Sequence, residues 1–446
     1  MYKKTWIIIL VILLINLFVT TKSRALEYKR EVYNKNGLTI IHYERKDLPL
    51  VKAEMLIDAS PMDEPANLSG LASLTSSMLI EGTKTKTSEQ ISQEAEFMAA
   101  DIGASSNEDF TAITLYTLKK DFKGGFEIFS DIIQNPIFPK KEFLRNKEIL
   151  LDSLKQREES PSYLATRAFL KELFPDHPYG RYVMGDAKTV PNIKQSDLIR
   201  FHRDYYSPNR AILTVVGDIS FEETLKLVDQ YFSNWSNNDN IKPNKTETNR
   251  KPIKKIITID RPLTQSTIMI GSHGIKRSNP DFYKLSVMNY ILGGGGFRSR
   301  LMENIRNKRG YAYDVHSYFK TNKYGGYFSL NVKTKTELTD KVITESLNEI
   351  KNIMTSEVTD VELSDAKAFL TGSFPLRLDT LADIASFLSL VEFYGLGMTY
   401  DKDYINYINN VTIAEVKDVA SRYLDDKNYI LVIVGDTKKI DKEKIH

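Results

Sequence analysis

Two stretches of this sequence, 218 residues apart, spell nearly the same strand. Residues 211–218 read Ala-Ile-Leu-Thr-Val-Val-Gly-Asp, and residues 429–436 read Tyr-Ile-Leu-Val-Ile-Val-Gly-Asp. One shift places Ile212 on Ile430, Leu213 on Leu431, Val216 on Val434, Gly217 on Gly435 and Asp218 on Asp436. The match extends upstream, with Asp197-Leu198 on Glu415-Val416 and Tyr205 on Tyr423. In both copies an acid-capped amphipathic helix leads through a short loop into a β-branched strand that ends at Gly-Asp. So many positions matched at a single offset imply a duplicated domain.

The boundary falls between the copies. Ser236 to Pro252 is rich in Asn, Thr, Lys and Pro and nearly free of apolar residues, which is linker chemistry. The expected organisation is a first domain over 26–235, a linker over 236–252 and a second domain over 253–446. Within the first half, Leu38–His42, Ala53–Ile57 and Ile113–Leu118 read as strands. Ser69–Ile80, Ser88–Ala99 and Lys140–Arg157 carry helical periodicity. In the second half Lys255–Ile259, Thr267–Gly271 and Tyr327–Val332 read as strands, and Tyr283–Leu292 as a helix. Short strands with long intervening helices predict an α+β fold, each domain a mixed sheet with helices mainly on one face.

Residues 1–25 differ from the rest. Lys3 and Lys4 precede an almost unbroken apolar run, Trp6–Val19, and Ser23-Arg24-Ala25 puts small residues at the two positions a signal peptidase requires. This reads as a secretory signal, with an uncleaved anchor as the alternative. The expected location is outside the cytoplasm, periplasmic or secreted. The segment holds four basic and no acidic residues, so the +3 of the whole chain becomes −1 without it. Bulk charge therefore gives no reason to expect a nucleic-acid or anionic-membrane partner. The chain has no Cys, which excludes disulfides, thiolate catalysis and Cys-ligated metals.

Several motifs look familiar. Gly70–Thr83 (Gly-Leu-Ala-Ser-Leu-Thr-Ser-Ser-Met-Leu-Ile-Glu-Gly-Thr) resembles the first-helix signature of the pitrilysin, insulinase and mitochondrial-processing-peptidase family of zinc metallopeptidases. Gly293–Leu301, Ile305–Tyr313, His177-Pro178-Tyr179-Gly180 and Tyr206-Ser207-Pro208-Asn209 match the same family. The resemblance implies a duplicated clamshell around a peptide-binding cleft. Active members carry His-x-x-Glu-His in the first helix. Two His at i and i+4 share one helical face and one zinc, and the Glu serves as general base. Here the two His positions are Ser73 and Ser77, and the Glu position is Ser76. The third ligand of active members falls on Ser153, beside Asp152. A serine hydroxyl is a poor zinc ligand and no base at neutral pH, so no cofactor is expected in this chain.

Nothing local replaces that site. The six His residues (His42, His177, His202, His273, His316, His446) are all more than 20 positions apart. No Gly-x-Ser-x-Gly motif is present, and Ser73, Ser76 and Ser77 have no His or Lys within the same predicted helix to activate them. Gly293–Gly296 follows a helix and lacks the phosphate-loop pattern. What the resemblance does retain is an Arg and a Tyr seven residues apart, Arg306 and Tyr313. In active members they hold the substrate backbone and donate to the scissile carbonyl. The stretch Gly103–Thr111, which leads into the strand that pairs with substrate in relatives, is shorter here and carries Asn107 as a candidate substrate contact.

Metal positions lost and Arg/Tyr positions kept match family members that divide the site between two chains. The expected partner is then a homologous, exported His-x-x-Glu-His subunit that brings the zinc. The expected substrate is an unstructured peptide. A purely structural or peptide-holding role is the alternative.

Overall fold

The computed structural model describes residues 26–238, 245–249 and 251–440. The signal-peptide reading of residues 1–25, and His446, lie outside them.

Two sheets carry the fold. The first is built from β1 (Lys29–Val32), β2 (Thr39–Glu44), β3 (Leu50–Ile57), β4 (Asp101–Ser106), β5 (Thr111–Leu118) and β6 (Ala211–Gly217), in the order β1-β2-β6-β3-β5-β4. The second is built from β7 (Lys255–Asp260), β8 (Gln265–His273), β9 (Ala312–Thr321), β10 (Gly326–Lys335) and β11 (Ile430–Gly435), in the order β7-β11-β8-β10-β9. Apart from β1, the two orders coincide strand for strand. Each has a single parallel pair, β2 with β6 and β7 with β11, among antiparallel neighbours. The repeated Ile-Leu-x-x-Val-Gly strands, β6 and β11, occupy equivalent central places. They are apolar at nearly every position because both faces of each sheet are covered.

One face of each sheet packs on helices of its own half. In the first half Val51, Ala53, Met55 and Val215 meet Phe126, Phe129 and Ile133 of the helix Phe122–Gln134. The other face is covered by the opposite half. The helix Leu381–Phe393 sets Leu381, Ile384, Ala385 and Leu388 on Ile41 and Val216 of the first sheet. The helix Pro161–Leu173 sets Ala165, Phe169 and Leu173 on Met269, Ile430, Val432 and Val434 of the second. These two helices sit at corresponding places in the repeat, so the halves exchange equivalent elements. Gly271 makes the second contact fit: a Cβ there would stand 2.7 Å from the Phe169 ring and 2.2 Å from the Phe328 carbonyl oxygen. Across the other contact, the Ser389 hydroxyl donates to Thr214 Oγ1 at 2.8 Å, both groups fully buried.

A buried polar cluster joins the turns of the two sheets. Asp109, in the β4–β5 turn, accepts hydrogen bonds from the Tyr179 hydroxyl, the Tyr394 hydroxyl (3.1 Å) and the Lys323 backbone N–H in the β9–β10 turn (2.9 Å). Burial raises the Asp109 carboxyl above its ordinary value, and these three donors oppose that shift. The segment between the halves is held as well. Lys245 pairs with Asp58 at 2.5 Å and Asp63 at 2.9 Å, and the Thr248 N–H donates to the Tyr324 carbonyl at 2.8 Å.

Phe169 lies in the first half but packs mainly on the second. Phe169→Ala is expected to cost about 3–5 kcal/mol, the range for removing a fully buried Phe. Because the halves share that core, chemical denaturation followed by circular dichroism and by tryptophan fluorescence should still give coincident transitions. Two separated transitions would show that the exchanged helices do not couple the halves.

Candidate functional site

The helix Leu71–Ser77 is shorter than its sequence pattern suggests. Gly70 begins it at φ +99°, where a Cβ would lie 2.7 Å from the Met184 carbonyl oxygen, so only Gly fits. A single 3-10 turn, Leu79–Glu81, follows instead of further α-helix. The buried Glu64 carboxylate caps the helix start, accepting from Ala72 N–H at 2.6 Å and Gly70 N–H at 3.2 Å. Burial pushes the Glu64 carboxyl up to about 8, against the pull of these two donors and of Arg181.

Ser73, Ser76 and Ser77 all lie on this helix, and Ser76 is buried. Their geometry does not suit a metal. Ser76 Oγ donates to the Ser73 carbonyl at 2.8 Å and Ser77 Oγ to the Leu74 carbonyl at 3.0 Å, so both hydroxyls are spent on their own helix. Ser153 is half-buried on the helix Lys140–Arg157, which packs against Leu71–Ser77. An anchor at the end of the short helix holds the two together: Glu81 accepts from Arg145 at 2.9 Å, Asn146 at 3.0 Å and Ser88 at 3.0 Å. The two serine-bearing helices pack together, and the groups they offer are neutral hydroxyls. No group of three His, Asp or Glu side chains suited to a metal occurs among the described residues. The residues present do not fit zinc.

Alongside this helix runs β4, the edge of the first sheet. The open edge therefore belongs to Asp101–Ser106, so the stretch Gly103–Thr111 comprises the end of this edge strand and the turn into β5. Asn107 sits in the turn that follows. Its Oδ1 accepts from the Asp109 and Phe110 N–H groups at 2.8 and 2.9 Å, which commits that oxygen to the turn.

Arg306 and Tyr313 come from the second half. Arg306 lies on a π-helical turn, Met302–Asn307, and Tyr313 near the start of β9, the edge of the second sheet. The neighbouring arginines are all paired: Arg298 with Asp365 at 2.7 Å, Arg300 with Glu362 at 2.6 Å and Arg309 with Glu345 at 3.2 Å. Arg306 has no acidic partner among the described residues. Its guanidinium lies instead over the ring of Phe297, 5.0 Å from the centroid, and that ring is 66% exposed. Tyr313 is 50% exposed. No hydrogen bond or ring contact links either residue to Ser73, Ser76, Ser77 or Ser153 among the described residues. Tyr313 stands nine residues along β9 from Asn322 in the junction turn, roughly 30 Å at strand spacing.

Sequence reasoning did not assign roles to Phe297 or Glu64. The first stood inside a quoted motif. The second had no local signal, because its role as a cap depends on the chain folding back onto the helix start.

The geometry invites comparison with known proteins. Residues 41–187 match the insulinase family (peptidase family M16), and residues 192–370 match the peptidase M16 inactive domain. The non-peptidase homolog YmxG of Helicobacter pylori is 26% identical over 431 residues, covering 96% of this chain and 99% of that protein. An uncharacterized zinc protease of Rickettsia bellii is 26% identical over 351 residues, 78% of this chain and 83% of that one. A crystal structure of a peptidase M16 inactive domain from Pseudomonas fluorescens superposes with a TM-score of 0.86 at 28% identity, covering 92% of this chain and 98% of that chain. A protease structure from Helicobacter pylori shares the fold, with a TM-score of 0.85 at 18% identity, covering 92% and 99%. The chain belongs to peptidase family M16. It is a non-catalytic M16-like protein.

The Glu64 cap gives a signed pH prediction. Its folded value lies above the ordinary 4.5, so between about 4.5 and 8 the folded state holds a proton that the unfolded state has released. That contribution lowers stability as pH rises through the window. Glu64→Gln removes the titration. The urea midpoint of the variant, relative to the parent, should rise from pH 5 to about 8.5; a constant difference would count against a buried, neutral Glu64.

Proposed function

We propose that this chain is the zinc-free subunit of a two-chain peptidase, binding peptide and supplying Arg306 and Tyr313 to the zinc site of a homologous His-x-x-Glu-His partner. The carrying observation is Arg306: a guanidinium with no ion pair among the described residues, beside paired neighbours, over an exposed Phe297 and seven residues before a half-exposed Tyr313.

The chemistry divides cleanly. The partner brings the metal and its water. Arg306 binds carbonyl oxygens of the peptide backbone as a charged donor. The Tyr313 hydroxyl donates to the scissile carbonyl oxygen as negative charge develops there. Such a preorganised donor acts chiefly on the transition state. An extended peptide adds to the open edge of β4 through main-chain hydrogen bonds, with the small side chains of Gly103–Ser106 leaving room for it. Export through the 1–25 segment would place this subunit outside the cytoplasm, where an exported partner would meet it. The relative named a non-peptidase homolog agrees with a chain that does not hydrolyse peptides alone.

The test is a reconstitution with a mixture of unstructured peptides. Neither subunit alone should match the pair. Arg306→Ala or Tyr313→Phe in this chain should lower the pair's kcat about 10²–10³-fold, the usual loss for one transition-state donor. Ser73→Ala or Ser76→Ala should leave it unchanged. If the pair assembles and the Arg306 and Tyr313 variants are as active as the parent, the chain is a peptide-holding or structural subunit instead.

A further inference from the structure

A buried carboxylate in the second half lacks the partner it needs. Asp401 opens the helix Tyr400–Asn409, is 8% exposed, and makes no ion pair among the described residues. One oxygen, Oδ2, accepts the Leu26 backbone N–H at 2.7 Å. The other, Oδ1, is buried with no hydrogen-bond partner among the described residues. A buried carboxylate served by one amide is costly, because an ionised carboxylate normally binds several donors. Buried polar groups left like this call for an explanation.

Leu26 supplies one. Its side chain is 9% exposed and fills the core where the exchanged helix meets the first sheet, among Ile41, Val216, Leu381, Ile384 and Leu388. The first few residues of most chains are not held this way. Leu26 is also the residue that follows Ser23-Arg24-Ala25, where the sequence places signal-peptidase cleavage. Cleavage hydrolyses the Ala25–Leu26 peptide bond, adding water, and turns a secondary amide with one N–H into an ammonium with three donors and a positive charge. Tyr28, two residues on, already registers the negative charge at the site: burial and then Asp401 push its hydroxyl up to about 12.

We propose that the mature chain begins at Leu26 and that its α-ammonium forms a buried ion pair with Asp401, satisfying both carboxylate oxygens and fastening the new N-terminus to the second half. Processing thereby completes the interface between the halves. The proposal stands apart from the split-site reading, since it concerns no residue of that site.

The experiment compares chains released from a fusion at Leu26 or at Ala25. The longer chain keeps the amide hydrogen bond at Leu26 but moves the charge away. It should melt about 3 °C or more below the shorter chain, as expected for losing one partner of a buried pair in a protein of this size. Asp401→Asn should lower the melting temperature of the Leu26 chain and shrink the gap between the two lengths, a coupling that a double-mutant cycle reads directly. N-terminal acetylation of the Leu26 chain should reproduce the loss. The intact mass of the protein recovered from its export compartment should correspond to a start at Leu26. Equal melting temperatures for the two lengths, equal effects of Asp401→Asn in both, or a recovered chain that starts elsewhere would overturn the proposal.

Discussion

The exchange of helices between the halves is the contact on which the rest of the molecule depends. A sheet whose central strand is apolar on both faces needs two covers. Here each half provides one cover for itself and one for the other half. Leu381–Phe393 lies on β6, and Pro161–Leu173 lies on β11. Neither sheet is complete without a helix that lies far from its central strand in the chain, roughly 160–180 positions from β6 in the first and roughly 260–270 from β11 in the second. The buried Asp109 cluster and the Lys245 ion pairs add direction to a contact that the apolar surfaces already demand. With the halves fixed in this way, the open edges β4 and β9 leave a common junction in a set relation, and so do the short serine-bearing helix and the Arg306–Tyr313 pair.

The local chemistry of the two halves differs in a way that the shared fold does not require. On the helix Leu71–Ser77 the hydroxyls of Ser76 and Ser77 turn inward to their own backbone, a satisfied arrangement that asks nothing of a ligand. At Arg306 the situation is reversed. A guanidinium with five donors rests on an aromatic face and leaves those donors available. The hydroxyls of the first half are turned to their own backbone, whereas the guanidinium of the second lies over an exposed ring.

Much of the architecture was legible in the sequence because repetition carries it. The matched Ile-Leu-x-x-Val-Gly strands became equivalent central strands, and the helix Lys140–Arg157 has the expected ends. Where the reading fell short, the cause lay in tertiary structure or in weak patterning. The edge strand Asp-Ile-Gly-Ala-Ser-Ser is small and polar, with little of the alternation that marks a half-buried strand. The first helix starts late because Gly70 must adopt a left-handed conformation against Met184, and it gives way at its far end to the 3-10 turn Leu79–Glu81. The helix after β8 carries on as a π turn, Tyr290–Gly294, that periodicity does not announce. The exchanged helices look like any other amphipathic segments. A sequence shows which face is apolar, but not which sheet that face will cover. Motif spacing pointed to Arg306 and Tyr313, but it could not show that Arg306 makes no ion pair among the described residues and rests on Phe297.

The exchanged helices also bear on the order in which the chain is made. When β6 leaves the ribosome, the helix that covers Ile41 and Val216 is still about 170 residues from synthesis. At typical elongation rates of about 5–20 residues per second, that gap lasts roughly 10–30 s. Through that interval the first sheet has no lid on one side, and a half that folded early would present a bare apolar face. Folding from the N-terminus forward is therefore a poor route for this protein. Its topology favours a chain kept unfolded until nearly all of it is present, so that both halves close on each other in one event.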